Sequence, residues 1–185
     1  MLLKRRAMVS KSSILRMLSA VAVSGCVAAG LAPVVHAQGL PGLVIFSGVE
    51  RENQLNYRLD FNGRPFQTDR YRLRISRQKM RSDVYEFTVT YPETYQGTFD
   101  ENRIELRVRG NSVPLNEVIW NRETREITIY PTDPVPAGSR VEIVLSNVRN
   151  PRNGGTFYFN ALVRATGDVP LRRYIGTWII GIGRE

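Results

Sequence analysis

Six basic residues, Arg70, Arg72, Arg74, Arg77, Lys79 and Arg81, fall between Asp69 and Asp83. Arg70, Arg72 and Arg74 alternate with Tyr71, Leu73 and Ile75. On an extended strand the three guanidinium groups share one face and their apolar partners turn to a core. Arg77 to Arg81 then make a basic loop. A guanidinium is a planar fork of five N–H donors that matches carboxylate and phosphate oxygens. The chemistry on offer is anion binding, with acidic polysaccharide, envelope phosphate or an acidic protein surface as candidate partners. A solvated sheet face that discourages edge-to-edge pairing would use the same residues, and both readings stand at this level.

The usual catalytic groups are scarce. The chain has one cysteine, Cys26, and one histidine, His36, both near its start. Beyond Ala37 there is no thiolate nucleophile, no imidazole base, no Ser-His-Asp triad and no Cys/His zinc site. Carboxylates remain: Asp100, Glu101, Glu105, Glu123, Glu126, Asp133 and Asp168. Glycoside hydrolysis needs two of them across a cleft, and no spacing marks such a pair. Asp100, Glu101 and Asn102 offer oxygen ligands, but they match no calcium loop. Tyr91-Pro92-Glu93-Thr94-Tyr95 and Trp120 put aromatic rings beside polar groups, a setting that suits sugar stacking and also core corners. The reading is of a protein that is not an enzyme and takes no cofactor or metal.

The first residues read as an export signal. Lys4, Arg5, Arg6, Lys11 and Arg16 are followed by a largely apolar stretch from Met17 to Val35 and a small-residue exit at Ala37. Residues 1–37 are expected to be a signal peptide, and 38–185 a single domain. Val23-Ser24-Gly25-Cys26 resembles a lipoprotein cleavage box, so lipidation at Cys26 stays open as the alternative. Beyond residue 37 no segment is long and apolar enough to span a bilayer as a helix. Five of the 26 basic residues and none of the 17 acids lie in the first 37, which leaves a net charge of about +4. Lys79 is the one lysine of that remainder, and its other basic residues are arginine. Compositional bias would produce the same excess.

Period-two alternation dominates the rest. Tyr85, Phe87, Val89 and Tyr91 alternate with Glu86, Thr88 and Thr90, and Ile104, Leu106 and Val108 with Glu105 and Arg107. Ile127 and Ile129 alternate with Glu126 and Thr128, and Phe157, Phe159, Ala161 and Val163 with Tyr158, Asn160 and Arg164. This is the pattern of half-buried antiparallel strands. Further strands are expected at 43–49, 57–61, 71–76, 140–146 and 174–182. The last two are apolar on both faces, as central strands are. Asn62-Gly63, Arg109-Gly110-Asn111, Pro131 to Gly138 and Asn153-Gly154-Gly155 punctuate the runs as turns. Glu117–Asn121 and Glu126–Tyr130 read as a hairpin. Eight to ten short strands predict an all-β fold, a two-sheet antiparallel sandwich. Val135-Pro136-Ala137-Gly138-Ser139 ahead of a late strand gives it an immunoglobulin-like cast.

The last third carries more specific blocks. They are Pro136-x-Gly138, Asn150-Pro151-Arg152-Asn153-Gly154-Gly155, Phe157-Tyr158-Phe159, Gly167-Asp168-Val169-Pro170 and Tyr174-x-Gly176. In these the chain resembles the cyanobacterial secreted domain-of-unknown-function family number 2808. The resemblance implies a signal peptide, a β-rich domain of this size and an exported envelope or extracellular protein. It implies no activity, and no catalytic residues transfer. Physically, Pro151 ends a strand and Gly154-Gly155 is expected to permit a tight reversal.

These readings predict an exported, non-catalytic protein of the periplasm, outer envelope or extracellular space. Its role is binding or structural, through the Arg-rich strand and loop. Export argues against nucleic acid as a partner. Two alternatives remain. A carbohydrate-active enzyme would need carboxylates facing each other across a groove lined by Trp120 or Tyr95. An accessory subunit of an exported surface assembly would show a long unpaired apolar edge strand.

Overall fold

The structure, a computed structural model, describes residues 48–167 and 171–183. The expected signal peptide with Cys26 and His36, most of the strand expected at 43–49, and Asp168-Val169-Pro170 lie outside the described residues. Gly48 and Val49 are described and belong to no strand.

Ten strands run in chain order: β1 Tyr57–Leu59, β2 Thr68–Ile75, β3 Val84–Thr90, β4 Ile104–Val108, β5 Asn111–Val113, β6 Leu115–Asn121, β7 Glu126–Pro131, β8 Val141–Arg149, β9 Gly155–Ala165 and β10 Arg173–Ile182. They form two five-stranded sheets, ordered β1-β2-β8-β4-β5 and β10-β9-β3-β7-β6, with every pairing antiparallel. All ten lie in the compact unit Leu40–Glu185. The chain changes sheet five times, so neither sheet is a simple meander. No helix of the described residues is long and apolar enough to cross a membrane.

The alternation places the core where it was expected. Tyr71, Leu73 and Ile75 of β2, Phe87 and Val89 of β3, Ile127 and Ile129 of β7, and Phe157 and Phe159 of β9 are buried between the sheets. Arg70, Arg72 and Arg74 face away from them. Removing these apolar surfaces from water is the main stabilising term, roughly 25 cal/mol per Å².

Three expectations are corrected. Asn111, read as part of a turn, opens strand β5. Arg109 (φ 54°) and Gly110 (φ 99°) alone make a two-residue turn, because two left-handed residues match the strand twist. Tyr174–Ile182, read as central, lies within the edge strand β10. Its free edge is not open, because another segment pairs with it. The Leu55 amide donates to the Thr177 carbonyl (2.8 Å), and a parallel bridge joins Gln54 to Thr177. Leu55 packs directly over Gly176, where a Cβ would stand 2.7 Å from the Leu55 Cγ and 2.7 Å from the Asn53 carbonyl oxygen. The Tyr174-x-Gly176 block thus permits a close chain crossing. Gly154-Gly155 is not a left-handed turn either, since neither glycine has a positive φ. A Cβ on Gly154 would lie 2.8 Å from the Ile182 carbonyl oxygen, so close approach is what that position requires.

The sheet edges are blunt. β1 and β5 have three residues each, and β10 is covered as described. On the seven-residue edge strand β6 the Trp120 amide donates to the Glu101 carboxylate. Short or capped edges offer little to a second chain.

Candidate functional site

The outer face of the first sheet carries the arginine row, and the register builds it. Arg74 of β2 lies opposite Glu142 of β8, which lies opposite Arg107 of β4. One pleat along, Arg58 of β1 faces Arg72, which faces Val144, which faces Glu105. Glu142 accepts from Arg72 Nη1 (3.2 Å) and Arg74 Nε (2.9 Å), with Arg107 Nη1 at 3.9 Å. Asp60, just past β1, accepts from Arg72 Nε at 2.9 and 3.0 Å. Arg58 Nε and Arg70 Nη1 stand 3.5 and 3.7 Å from the same carboxylate. Arg107 pairs with Glu105 at 2.7 Å. Val144 points outward yet is only 1% exposed. It belongs to this outer layer of long side chains, whose apolar stems shield it while their heads reach water.

The electrostatics follow from the contacts. The Arg72 hydrogen bond, with help from the charges of Arg58 and Arg70, holds the Asp60 carboxyl below the usual carboxylate range. Partial burial works the other way at Glu142, but hydrogen bonds from Arg74 and Arg72 outweigh it and its pKa is also lowered. A depressed carboxylate stabilises the fold above its unfolded pKa, and that contribution is lost as pH falls through the folded value. Exposed ion pairs are individually weak. Their main effect here is to hold the guanidinium groups in register.

The basic loop differs. Arg77 and Arg81 are exposed, and Lys79 donates to Asn53 Oδ1 at 3.1 Å. Among the described residues none of these three has a carboxylate within 4.0 Å. The structure therefore brings Arg70, Arg72 and Arg74 together on the sheet and puts Arg77, Lys79 and Arg81 in the connection after it. Asp60, Glu142, Arg58 and Arg107, which complete the array, were missed by sequence reasoning. Alternation marks their outward orientation, but only the cross-strand register joins them.

A shallow hollow of about 550 Å³ is lined by Phe99, Asp100, Glu101, Trp120, Arg122 and Arg149, among others. Here the carboxylates are already engaged. Asp100 precedes a 3-10 turn and caps it, with Oδ1 accepting from the Asn102 amide (3.1 Å) and Oδ2 from Asn147 Nδ2 (2.9 Å). Glu101 takes the Trp120 amide. The two are neighbours on one wall, not an opposed pair. Among the described residues no cluster of three or more His, Cys, Asp or Glu side chains could hold a metal. Tyr91 and Tyr95 are core residues packed on Phe99 and Phe159. Trp120 Nε1 donates to the Tyr91 hydroxyl at 2.7 Å, and Arg122 lies over the indole at 4.2 Å.

Behind this hollow the Tyr71 hydroxyl donates to Asn150 Oδ1 (2.6 Å) and lies 3.1 Å from the Tyr95 hydroxyl. Burial pushes both phenols well above their usual range. Above pH ~10 the unfolded phenols ionise while the buried ones stay protonated. Stability is therefore complete below pH ~10 and falls beyond it by about 1.4 kcal/mol per pH unit for each tyrosine. Urea titrations at stepped alkaline pH should show this, with a shallower fall in Tyr95→Phe. An equal fall in both proteins would show that Tyr95 contributes nothing.

Several solved structures are similar in fold. A bacterial hydrophobin, BslA, is 14% identical over 66% of this chain and 97% of its own, with a TM-score of 0.44. The collagen-binding domain of a Staphylococcus aureus adhesin is 9% identical over 69% and 95%, at 0.40. A Nocardia farcinica protein with an immunoglobulin-like fold is 11% identical over 71% and 99%, at 0.39. No curated protein matches the chain. Residues 43–182 match the family described as "Protein of unknown function (DUF2808)", and the chain belongs to that family.

Proposed function

We propose that this is an exported, non-catalytic protein of the cell envelope or extracellular space, and that it binds anionic envelope material through its guanidinium-lined sheet face. The observation that carries this is the imbalance on that face. Five arginines, 58, 70, 72, 74 and 107, stand against three carboxylates, Asp60, Glu105 and Glu142. Arg72 is committed to two carboxylates and acts as the brace. Arg74 is exposed and hydrogen-bonded through Nε, which leaves its terminal N–H groups for a ligand. Arg77 and Arg81 extend the cationic surface past the end of β2. Carboxylates of an acidic polysaccharide or phosphates of a lipid headgroup suit such forks equally, and an acidic protein surface is the third candidate.

Sedimentation of residues 38–185 with isolated envelope material, at low and high salt, tests the reading. Pelleting at low salt and release at high salt are expected. The triple variant Arg74→Gln/Arg77→Gln/Arg81→Gln spares the Arg72 brace. At about 1 kcal/mol for each cation near an anionic surface, it should weaken low-salt binding on the order of a hundredfold. Unchanged pelleting of that variant would reduce the array to a solvated face.

A further inference from the structure

The connection between β1 and β2 holds two of the most exposed large apolar side chains of the described residues, Phe61 at 55% and Phe66 at 50%. The loop under them is rigidly held. The buried Asp69 accepts the amides of Phe61 (2.9 Å) and Gly63 (2.8 Å). Asn150 Nδ2 donates to the Arg64 carbonyl (2.9 Å), the Phe66 amide to the Pro151 carbonyl (3.0 Å), and the Gly183 amide to the Gly63 carbonyl (2.8 Å). The backbone is left-handed at Asn62 (φ 65°), Gly63 (φ 61°) and Phe66 (φ 58°). Asparagine and glycine tolerate that region, whereas a bulky residue there is strained. Phe66 thus carries backbone strain while the residue stays half exposed. Backbone strain held in place by such a hydrogen-bonded frame clusters at functional loops.

Cations lie near both rings. The guanidinium carbons of Arg149 and Arg152 lie 4.3 and 4.9 Å from the Phe66 ring centre. Phe61 borders a hollow shared with Arg70 and Arg103, in which Asp100 is the one acid besides the buried Asp69. Exposed phenyl rings among arginines match one partner better than any other, the interface of an anionic lipid bilayer. The rings gain an apolar phase there, and the forks meet headgroup phosphates. A polysaccharide would satisfy the charges but offer the rings no apolar phase. We infer that the loop from Phe61 to Phe66 is a membrane anchor, which inserts both phenyl rings into an anionic bilayer surface while Arg149 and Arg152 bind lipid phosphate. This surface is separate from the guanidinium sheet face, apart from the shared Arg70.

Flotation with phosphatidylglycerol-containing vesicles, beside vesicles of phosphatidylcholine alone, reads this directly. All ten strands lie within Leu40–Glu185, so residues 38–185 are the working protein. Wild type should float with anionic vesicles and retain part of its binding at high salt. The variant Phe61→Ser/Phe66→Asn should bind anionic vesicles at least about tenfold more weakly and lose all binding at high salt. Asparagine accepts the left-handed backbone, so an unchanged melting curve is expected for the variant. Residues 38–185 contain no cysteine, so Phe61→Cys takes a single environment-sensitive dye, whose emission should shift to the blue with anionic vesicles only. Equal flotation of variant and wild type, or no dye shift, overturns the anchor and leaves the sheet-face reading intact. Binding to envelope polysaccharide without binding to vesicles also overturns it.

Discussion

Trp178→Ala lowers the unfolding free energy of the sandwich by about 3–5 kcal/mol, as large-to-small core substitutions of this size do. Trp178 is fully buried, on the inner face of β10 opposite Phe159 of β9. Its indole Nε1 also donates to the Arg74 carbonyl of β2 at 3.1 Å, which ties the edge of one sheet to the other. The alanine variant loses apolar burial, opens a cavity and leaves that carbonyl without its partner. Trp178→Phe refills much of the volume but not the hydrogen bond, so it should cost about 1–3 kcal/mol. Urea denaturation curves separate the two. If both variants unfold at the wild-type midpoint, the seam between β2 and β10 is not where the sandwich is closed.

Asp69→Ala costs about 2–4 kcal/mol, because a buried acceptor for three amides is removed at once. Besides the Phe61 and Gly63 amides, the Arg70 amide lies 2.6 Å from Asp69 Oδ1. The side chain is 1% exposed, so water does not readily replace it. Asp69→Asn keeps one acceptor oxygen and should lose less. The damage should also be local. Hydrogen exchange at the amides of Phe61 and Gly63 should accelerate strongly in Asp69→Ala, while amides of β9 keep their protection. Uniform acceleration across the domain would mean that Asp69 supports the whole core and not the loop.

The fold is largely legible in the sequence. Alternation of apolar and polar residues acts through the nearest neighbours of each residue, and two faces of a strand in two environments demand it. That is why residue order alone separates the inward set Tyr71, Leu73 and Ile75 from the outward set Arg70, Arg72 and Arg74. The failures are non-local. The largely apolar β10 resembles a central strand, because composition cannot tell an edge paired by a full neighbouring strand from one met only by Gln54 and Leu55. Gly154 and Gly176 stand out as glycines, yet the reason for each, the Ile182 carbonyl in one case and Leu55 in the other, is distant in sequence.

The candidate site divides in the same way. Residue order is enough to make the chain beyond residue 37 a cysteine- and histidine-free β-domain with a row of arginines on one strand face, since residue type and local period suffice for that. What those arginines meet depends on how the strands pair and the chain turns back. Register sets Glu142 between Arg74 and Arg107, and chain reversal brings Asp60 back to Arg72. The phenyl rings of Phe61 and Phe66 look like ordinary core residues in the sequence. They stand in water because Asp69 and Asn150 hold their loop outside the sandwich, and contacts between residues far apart in the chain have no local signature.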